Sequence, residues 1–302
     1  MNILESIISL AFLSQVIRLY TPYYLGASAS NFTERSGVIN IAIEGFMTFS
    51  AFSYVLFSIK SGSPVIGVFV TILLSLFLAL LYALFTVALK VNHIVTGIGF
   101  NLFIAGLTKF FLVYFFQSSS NSPQAPSIPS ISFLKFVPII GPLISDPVIL
   151  FSFILLPLSQ FILYKTRFGL RLRTAGENPE AGDSLGIKIR AYKLYGVLIS
   201  GVLSSLAGMW LASSQNSFSD GMVAGRGFIA IAAMIIGRWK PLNIFYACLM
   251  FATLESLEIT LQIAGSGIPS QLVQILPYFI TILVLLGFVG KTKPPAADGV
   301  PY

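Results

Sequence analysis

The sequence predicts an all-α integral membrane protein, a polytopic helical bundle of about nine hydrophobic elements. Three observations predict it. Apolar residues make up 56% of the chain and charged residues only 10%, where a soluble domain carries roughly a quarter charged residues. Uncharged runs occupy 64–89, 147–164, 194–219 and 259–290, each near or above the ~20 residues that cross a bilayer. The basic residues sit between these runs, and seven of the 18 fall within 165–193. A water-soluble core cannot absorb so much apolar surface, whereas lipid requires the outward faces of helices to be apolar too.

The first element, 6–25, is interrupted by Arg18. Its flank carries Glu5 rather than the positive charge of a signal peptide, so despite an Ala27-Ser28-Ala29 site it is expected to be a retained helix. Elements follow at 37–59, containing Glu44, at 64–89, and at 91–116, containing His93 and Lys109. Residues 117–146 are rich in Ser and Pro with Lys135 and Asp146 as their charges, and they read as an irregular extracytoplasmic loop. After the run at 147–164, the loop 165–193 sets Lys165, Arg167, Arg171, Arg173, Lys188, Arg190 and Lys193 against Glu177, Glu180 and Asp183. The positive-inside rule places it in the cytoplasm. The run 194–219 is followed by 227–237, which as a helix extends only about 16 Å and suits half a bilayer. Elements at 241–262, with Glu255 and Glu258, and at 259–290 complete the count. Counting outward from the two loops puts Arg35, Lys90, Arg238, Lys240, Lys291 and Lys293 inside, with the N-terminus outside and the C-terminus inside.

Several chemistries are poorly provided for. One cysteine, Cys248, and one histidine, His93, give no zinc cluster and no internal disulfide, and no metal or cofactor is expected. The net charge of +7 marks one side of a membrane, so no nucleic-acid partner is expected. Gly290-Lys291-Thr292 lacks the earlier glycine of a phosphate loop, and Gly97-Ile98-Gly99 lacks the third glycine of a dinucleotide fingerprint. Energy for work against a gradient must come from elsewhere.

Polar side chains inside apolar runs are costly and by default face a bundle interior or an aqueous path. Asn40 and Glu44, spaced i and i+4, are expected on one helix face, with Gly37 and Gly45 permitting close approach. Asn101, Gln271 and Gln274 are further candidates for the solute path. Glu255 and Glu258 share a face of their helix, in the bundle or toward an outer vestibule. Glu34 and Arg35 read equally as a solvated helix entry or as functional groups, and His93 as a satisfied polar residue. Gly37-Val-Ile-Asn-Ile-Ala42 matches Gly227-Phe-Ile-Ala-Ile-Ala232 at four of six positions, each after an arginine, which suggests an inverted repeat with a half-helix at 227–237. In the cytoplasmic loop, residues 178–185 read as a short helix with Asn178 as N-cap, Pro179 at its first position and acidic residues in its first turn.

The run Glu34-Arg-Ser-Gly-Val-Ile-Asn-Ile-Ala-Ile-Glu-Gly-Phe-Met47 resembles the N-terminal signature of permease subunits of bacterial ABC importers for nucleosides and simple sugars, the ribose-permease-like superfamily. The resemblance extends along nearly the whole chain. It includes Val91-Asn92-His93-Ile94-Val95-Thr96-Gly97 through Asn101-Leu102, Gly169-Leu170-Arg171-Leu172-Arg173-Thr174-Ala175-Gly176-Glu177-Asn178-Pro179 with Ala181 and Gly186-Ile187, and Gly225-Arg226-Gly227-Phe228-Ile229-Ala230. Departures are local: Glu180-Ala181-Gly182 stands where the family often has Ala-Ala, and His93 where Gln is common.

The resemblance implies one transmembrane permease domain over 1–302, of the shorter-subunit type that pairs as a heterodimer with a second permease. It also implies a cytoplasmic ATP-binding cassette ATPase and an extracytoplasmic substrate-binding lipoprotein. Catalysis is then expected in the ATPase, not in this chain. Coupling is expected through Gly176, Glu177, Asn178, Pro179, Glu180, Ala181, Gly186 and Ile187. The solute is expected to be nucleoside-like, a nucleoside or riboflavin, taken across the bacterial inner membrane. A simple sugar such as ribose or galactose is the alternative, followed by an ion-coupled carrier and, last, a structural scaffold.

Overall fold

The computed structural model describes residues 9–131, 145–263 and 293–302, together with Ile275 and Phe279. These residues are built from helices: α1 (Leu10–Arg35), α2 (Ile43–Ser61), α3 (Pro64–Ala83, continued by a π-helical turn Leu84–Ala88), α4 (His93–Phe116), α5 (Pro147–Lys165), α6 (Arg167–Glu177), α7 (Pro179–Ser184), α8 (Ile189–Gln215), α9 (Arg226–Ile236) and α10 (Pro241–Ile263). Five of them, at Pro64–Ala88, His93–Phe116, Pro147–Lys165, Ile189–Gln215 and Pro241–Ile263, are long and apolar enough to cross a membrane. Beyond Ile263 the element at 259–290, with Gln271 and Gln274, lies outside the described residues apart from Ile275 and Phe279.

The first expected element was too short. α1 runs ten residues past position 25 because Ser28, Ser30, Asn31, Thr33 and Glu34 are buried in the bundle. Polar side chains survive there by bonding to their own helix: Thr21 Oγ1 donates to the Ile17 carbonyl at 2.9 Å, and Thr33 Oγ1 to that of Ser30 at 2.9 Å. Every residue from Tyr20 to Glu34 is buried. α8 is the other central helix, and α1 packs against it, α9 and α10. Glycines set the separations. A Cβ on Gly196 would lie 2.9 Å from the Phe32 carbonyl oxygen, and one on Gly208 only 2.0 Å from that of Met47, so α8 touches the backbones of both α1 and α2. α3, α4 and α5 surround this centre and turn large apolar side chains outward, among them Phe69, Leu102 and Phe161.

The basic loop also differs from expectation. Residues 167–177 fold into α6, which is capped by Thr166 Oγ1 accepting from Gly169 N at 3.0 Å and which buries Gly169, Leu172, Ala175 and Gly176. Lys193 is not a loop cation. It lies within α8, as Arg190 does, and is 2% exposed.

Irregular backbone at 36–42 separates α1 from α2, so Asn40 and Glu44 do not share a helix face: Asn40 lies in the break and Glu44 in the first turn of α2. The six-residue match therefore pairs a non-helical stretch with a helix and is not a structural repeat. Aligning the helix starts instead sets Ile43-Glu44-Gly45 against Arg226-Gly227-Phe228.

One end of the bundle gathers Arg18, Ser127, Asp146, Ser213 and Asn216 around a polar cavity of about 280 Å³. There the segment after α4 is tied to the one after α8, with Ser122 N bonded to the Phe218 carbonyl at 2.9 Å and Ala125 N to that of Asn216 at 2.7 Å. The other end gathers Arg35, Glu177 and Trp239. From Arg18 to Arg35 along α1 is about 25 Å.

Candidate functional site: a carboxylate-capped half-helix and a capped helix at the basic end

The break at 36–42 sits inside the protein, where unpaired backbone groups would be costly. Its groups are met from several helices. Ile39 N donates to His93 Nδ1 at 3.3 Å, the Ile39 carbonyl accepts from the Tyr82 hydroxyl at 2.8 Å, and the Ile41 carbonyl accepts from Asn101 Nδ2 at 3.0 Å. Asn40, 1% exposed, accepts from Ala42 N at 3.0 Å through Oδ1 and donates to Ser200 Oγ at 3.0 Å through Nδ2. Asn101 Oδ1 accepts from Gly45 N at 2.8 Å. His93 is a satisfied polar residue, as expected, its Nε2 lying 3.2 Å from the Thr86 carbonyl.

α9 is an 11-residue half-helix whose N-terminus points at Glu44. Glu44 Oε1 accepts from Gly225 N at 2.8 Å and Oε2 from Gly227 N at 2.7 Å. One carboxylate thus satisfies two of the donors a helix start leaves open and sits where the helix dipole favours negative charge. Glycine is required beside it, since a Cβ on Gly227 would meet Glu44 N at 2.6 Å, and Gly225 has φ +81°. The neighbouring Arg226 Nη2 pairs with Glu255 Oε1 at 2.7 Å, and Glu255 also accepts from the Tyr23 hydroxyl. Glu255 is therefore part of the bundle, tying α10 and α1 to the start of the half-helix. Glu258 stays outside this set and bonds Gln262 Nε2 at 3.1 Å.

At the opposite end Glu34 and Arg35 are not a solvated helix entry. Glu34, 5% exposed, accepts from Trp239 Nε1 at 2.6 Å. Arg35 donates to the Trp239 carbonyl at 3.0 Å and the Tyr164 hydroxyl at 3.2 Å, and pairs with Glu177 at 3.5 Å. α7 forms where the sequence placed it: Asn178 Oδ1 accepts from Ala181 N at 3.0 Å, and Pro179 is its first residue. Gly182 is its inward contact, while Asn178, Glu180, Ala181, Asp183, Ser184 and Gly186 face outward and Ile187 is half-buried. Gly176 is buried, its Cβ position 2.6 Å from the Arg35 carbonyl oxygen. Leu185 escaped the sequence reading. It is 78% exposed, an apolar side chain standing out of a polar face, and its signal was its place directly after a capped helix.

The chain matches the family described as branched-chain amino acid transport system, permease component, over residues 12–285. It is 38% identical to the nucleoside ABC transporter permease protein NupC of Lactococcus lactis, across 93% of both chains. It is 34% identical to the guanosine ABC transporter permease protein NupQ of Bacillus subtilis, across 93% of this chain and 92% of that one. A putative glucose ABC transporter permease protein, TsgC13 of Haloferax volcanii, is 27% identical over 93% of this chain and 92% of its own. No solved structure matches the chain. A helical bundle with a half-helix at its heart and a capped helix at one end, matched along nearly its full length, belongs to this family of ABC transporter permease components and is a multi-pass membrane transport subunit.

Proposed function

We propose that this chain is the permease subunit of an ATP-driven nucleoside importer in the bacterial inner membrane. The observation that carries the solute class is the difference in likeness: 38% and 34% identity to permeases named for nucleosides and guanosine, against 27% to one named for glucose. The half-helix agrees with that choice. Its N-terminus, a ready anion site in other proteins, is already filled by Glu44, so the site favours an uncharged solute such as a nucleoside. In this reading Glu44 borders the solute path, with Asn40 and Asn101 holding the break beside it. Gln271 and Gln274 are assigned to the same path from sequence alone.

The basic end faces the cytoplasm by the positive-inside rule, which sets the N-terminus outside and the C-terminus inside. A separate ATPase docks there on the 176–187 face, with Leu185 as its apolar contact. A second permease packs against the exposed apolar sides of the outer helices, and a substrate-binding lipoprotein meets the end with the polar cavity. Impermeant thiol reagent on intact cells should label Ser120→Cys and spare Ser184→Cys; the reverse pattern inverts the orientation.

The solute is tested by uptake of labelled guanosine in cells that depend on this chain. Excess unlabelled adenosine should abolish uptake and excess ribose should leave it unchanged. Competition by ribose alone would move the assignment to the sugar class.

A further inference from the structure

The last residues, 295–302, return to the bundle and lie across its basic end. Ala297 N donates to the Gly176 carbonyl at 2.8 Å, and Ala296 N to Glu177 Oε2 at 3.3 Å, so the segment is bonded to the end of α6. The Val300 carbonyl accepts from Lys193 Nζ at 3.0 Å, and the same ammonium reaches the Gly37 carbonyl at 3.5 Å. One buried cation of α8 thereby joins the tail to the break between α1 and α2. A Cβ on Gly37 would lie 3.1 Å from the Ala175 carbonyl oxygen and 3.3 Å from that of Ala297, and one on Gly299 would lie 2.6 Å from Ile39 Cδ1. Backbone meets backbone at Gly37, and at Gly299 the tail's backbone meets the Ile39 side chain. The terminal Tyr302 stands beside Asp183 and Glu180 of α7.

These contacts reinforce a direct approach of Gly176 to Arg35 and Gly37 and extend it to α7. α7 itself packs on α6 and, more lightly, on α8. The break at 36–42, which leads directly into Glu44, is bridged to α6 by Gly37, Gly176 and the tail. Asp298 completes the junction from the tail's side. Burial and the neighbouring Glu34 carboxylate push its carboxyl above the ordinary aspartate range, so this acidic place favours a shared proton between the two.

We propose that residues 295–302 act as a coupling strap, a positioning element that clamps α6 and α7 to the 36–42 break, so that displacement of α7 by the ATPase is delivered to the Glu44 half-helix site. The proposal rests on the reading of 176–187 as the ATPase contact. The strap touches no solute and forms no part of the ATP site. Its work is to keep two moving parts in one rigid body, because a docking helix free to slide on the bundle would absorb the stroke.

The test uses the complete importer in ATP-loaded proteoliposomes and reads nucleoside uptake per ATP hydrolysed, a ratio that simple loss of protein does not change. Deletion of Pro295–Tyr302 should leave the ATPase bound and hydrolysing while the ratio falls at least tenfold. Asp298→Ala should lower the ratio, and Asp298→Asn, which keeps a neutral donor facing Glu34, should restore it. A wild-type ratio in the deletion overturns the strap. Where the deletion fails to assemble, the Asp298 pair decides: equal ratios for Ala and Asn overturn the proposal. Ser184→Pro separates the two readings. If it uncouples while the deletion is normal, only the strap fails; if it is also normal, the coupling face itself is wrongly assigned.

Discussion

α1 and α4 are nearly equal in length, 26 and 24 residues, and they live in opposite surroundings. α1 buries an unbroken stretch from Tyr20 to Glu34 that includes Asn31 and four serine and threonine side chains. α4 buries only His93, Thr96, Gly97, Ile104, Thr108 and Leu112, and exposes Leu102, Phe103 and Phe110. The inward face of α4 is thus more polar than its outward face. In lipid the usual relation between burial and apolarity weakens, because the solvent is itself apolar and helix association relies on close packing and hydrogen bonds. The centre of this protein is where small and polar residues collect.

The largest expected effect sharpens that contrast at two glycines. A Cβ on Gly208 meets the Met47 carbonyl at 2.0 Å, while one on Gly106 of α4 meets nothing. Gly208→Leu should reduce the yield of folded, membrane-inserted protein by about tenfold or more, as overpacking of a filled interior does. Gly106→Leu should change it less than about twofold, measured by size-exclusion profile in detergent. Equal losses would break the comparison between centre and periphery.

Next comes Glu44. Replacement by Ala strands the Gly225 and Gly227 N–H groups, each at about 1–3 kcal/mol, and uptake should be lost. Glu44→Gln keeps one acceptor oxygen, so the protein should assemble with impaired uptake or impaired coupling to ATP hydrolysis. Normal transport by both Glu44→Ala and Asn40→Ala would leave these residues as packing alone. A smaller effect is expected at Asn101, whose bonds to the Ile41 carbonyl and to Gly45 N are worth ~1 kcal/mol each. Asn101→Ala should lower Tm by several degrees. Smallest of all is Lys109→Ala, which removes an exposed pair with Asp220 worth about 0–1 kcal/mol and should leave uptake unchanged.

The same contrast decides what could be read from the residues. Apolar runs at the periphery announce themselves, and α3, α4, α5 and α10 begin and end within a few residues of their expected bounds. Local chemistry was legible too: the Asn178 cap, Pro179 and the 11-residue α9 follow from neighbours in sequence. The end of α1 was not, because Ser28 to Glu34 look like a loop until α8 and α9 are placed around them. Asn40 and Glu44 were found as costly polar groups, yet their partners, Ser200 and the start of α9, lie more than 150 positions away and leave no mark on the local pattern. Lys193 failed for the same reason. A lysine at a helix start reads as a loop charge until the Gly37 and Val300 carbonyls are brought to it.

The central claim is that this permease moves a nucleoside with force received at α7. Its most direct test is accumulation of labelled guanosine by proteoliposomes holding the complete importer, with ATP hydrolysis recorded alongside, for the native chain and for Ser184→Pro, a substitution that costs roughly 3 kcal/mol in a helix interior. The native complex should accumulate guanosine only with ATP, and Ser184→Pro should either hydrolyse ATP without accumulation or lose the ATPase on purification. Normal accumulation by Ser184→Pro with a stoichiometric ATPase, or accumulation by the native chain on an ion gradient without ATP, would contradict the account.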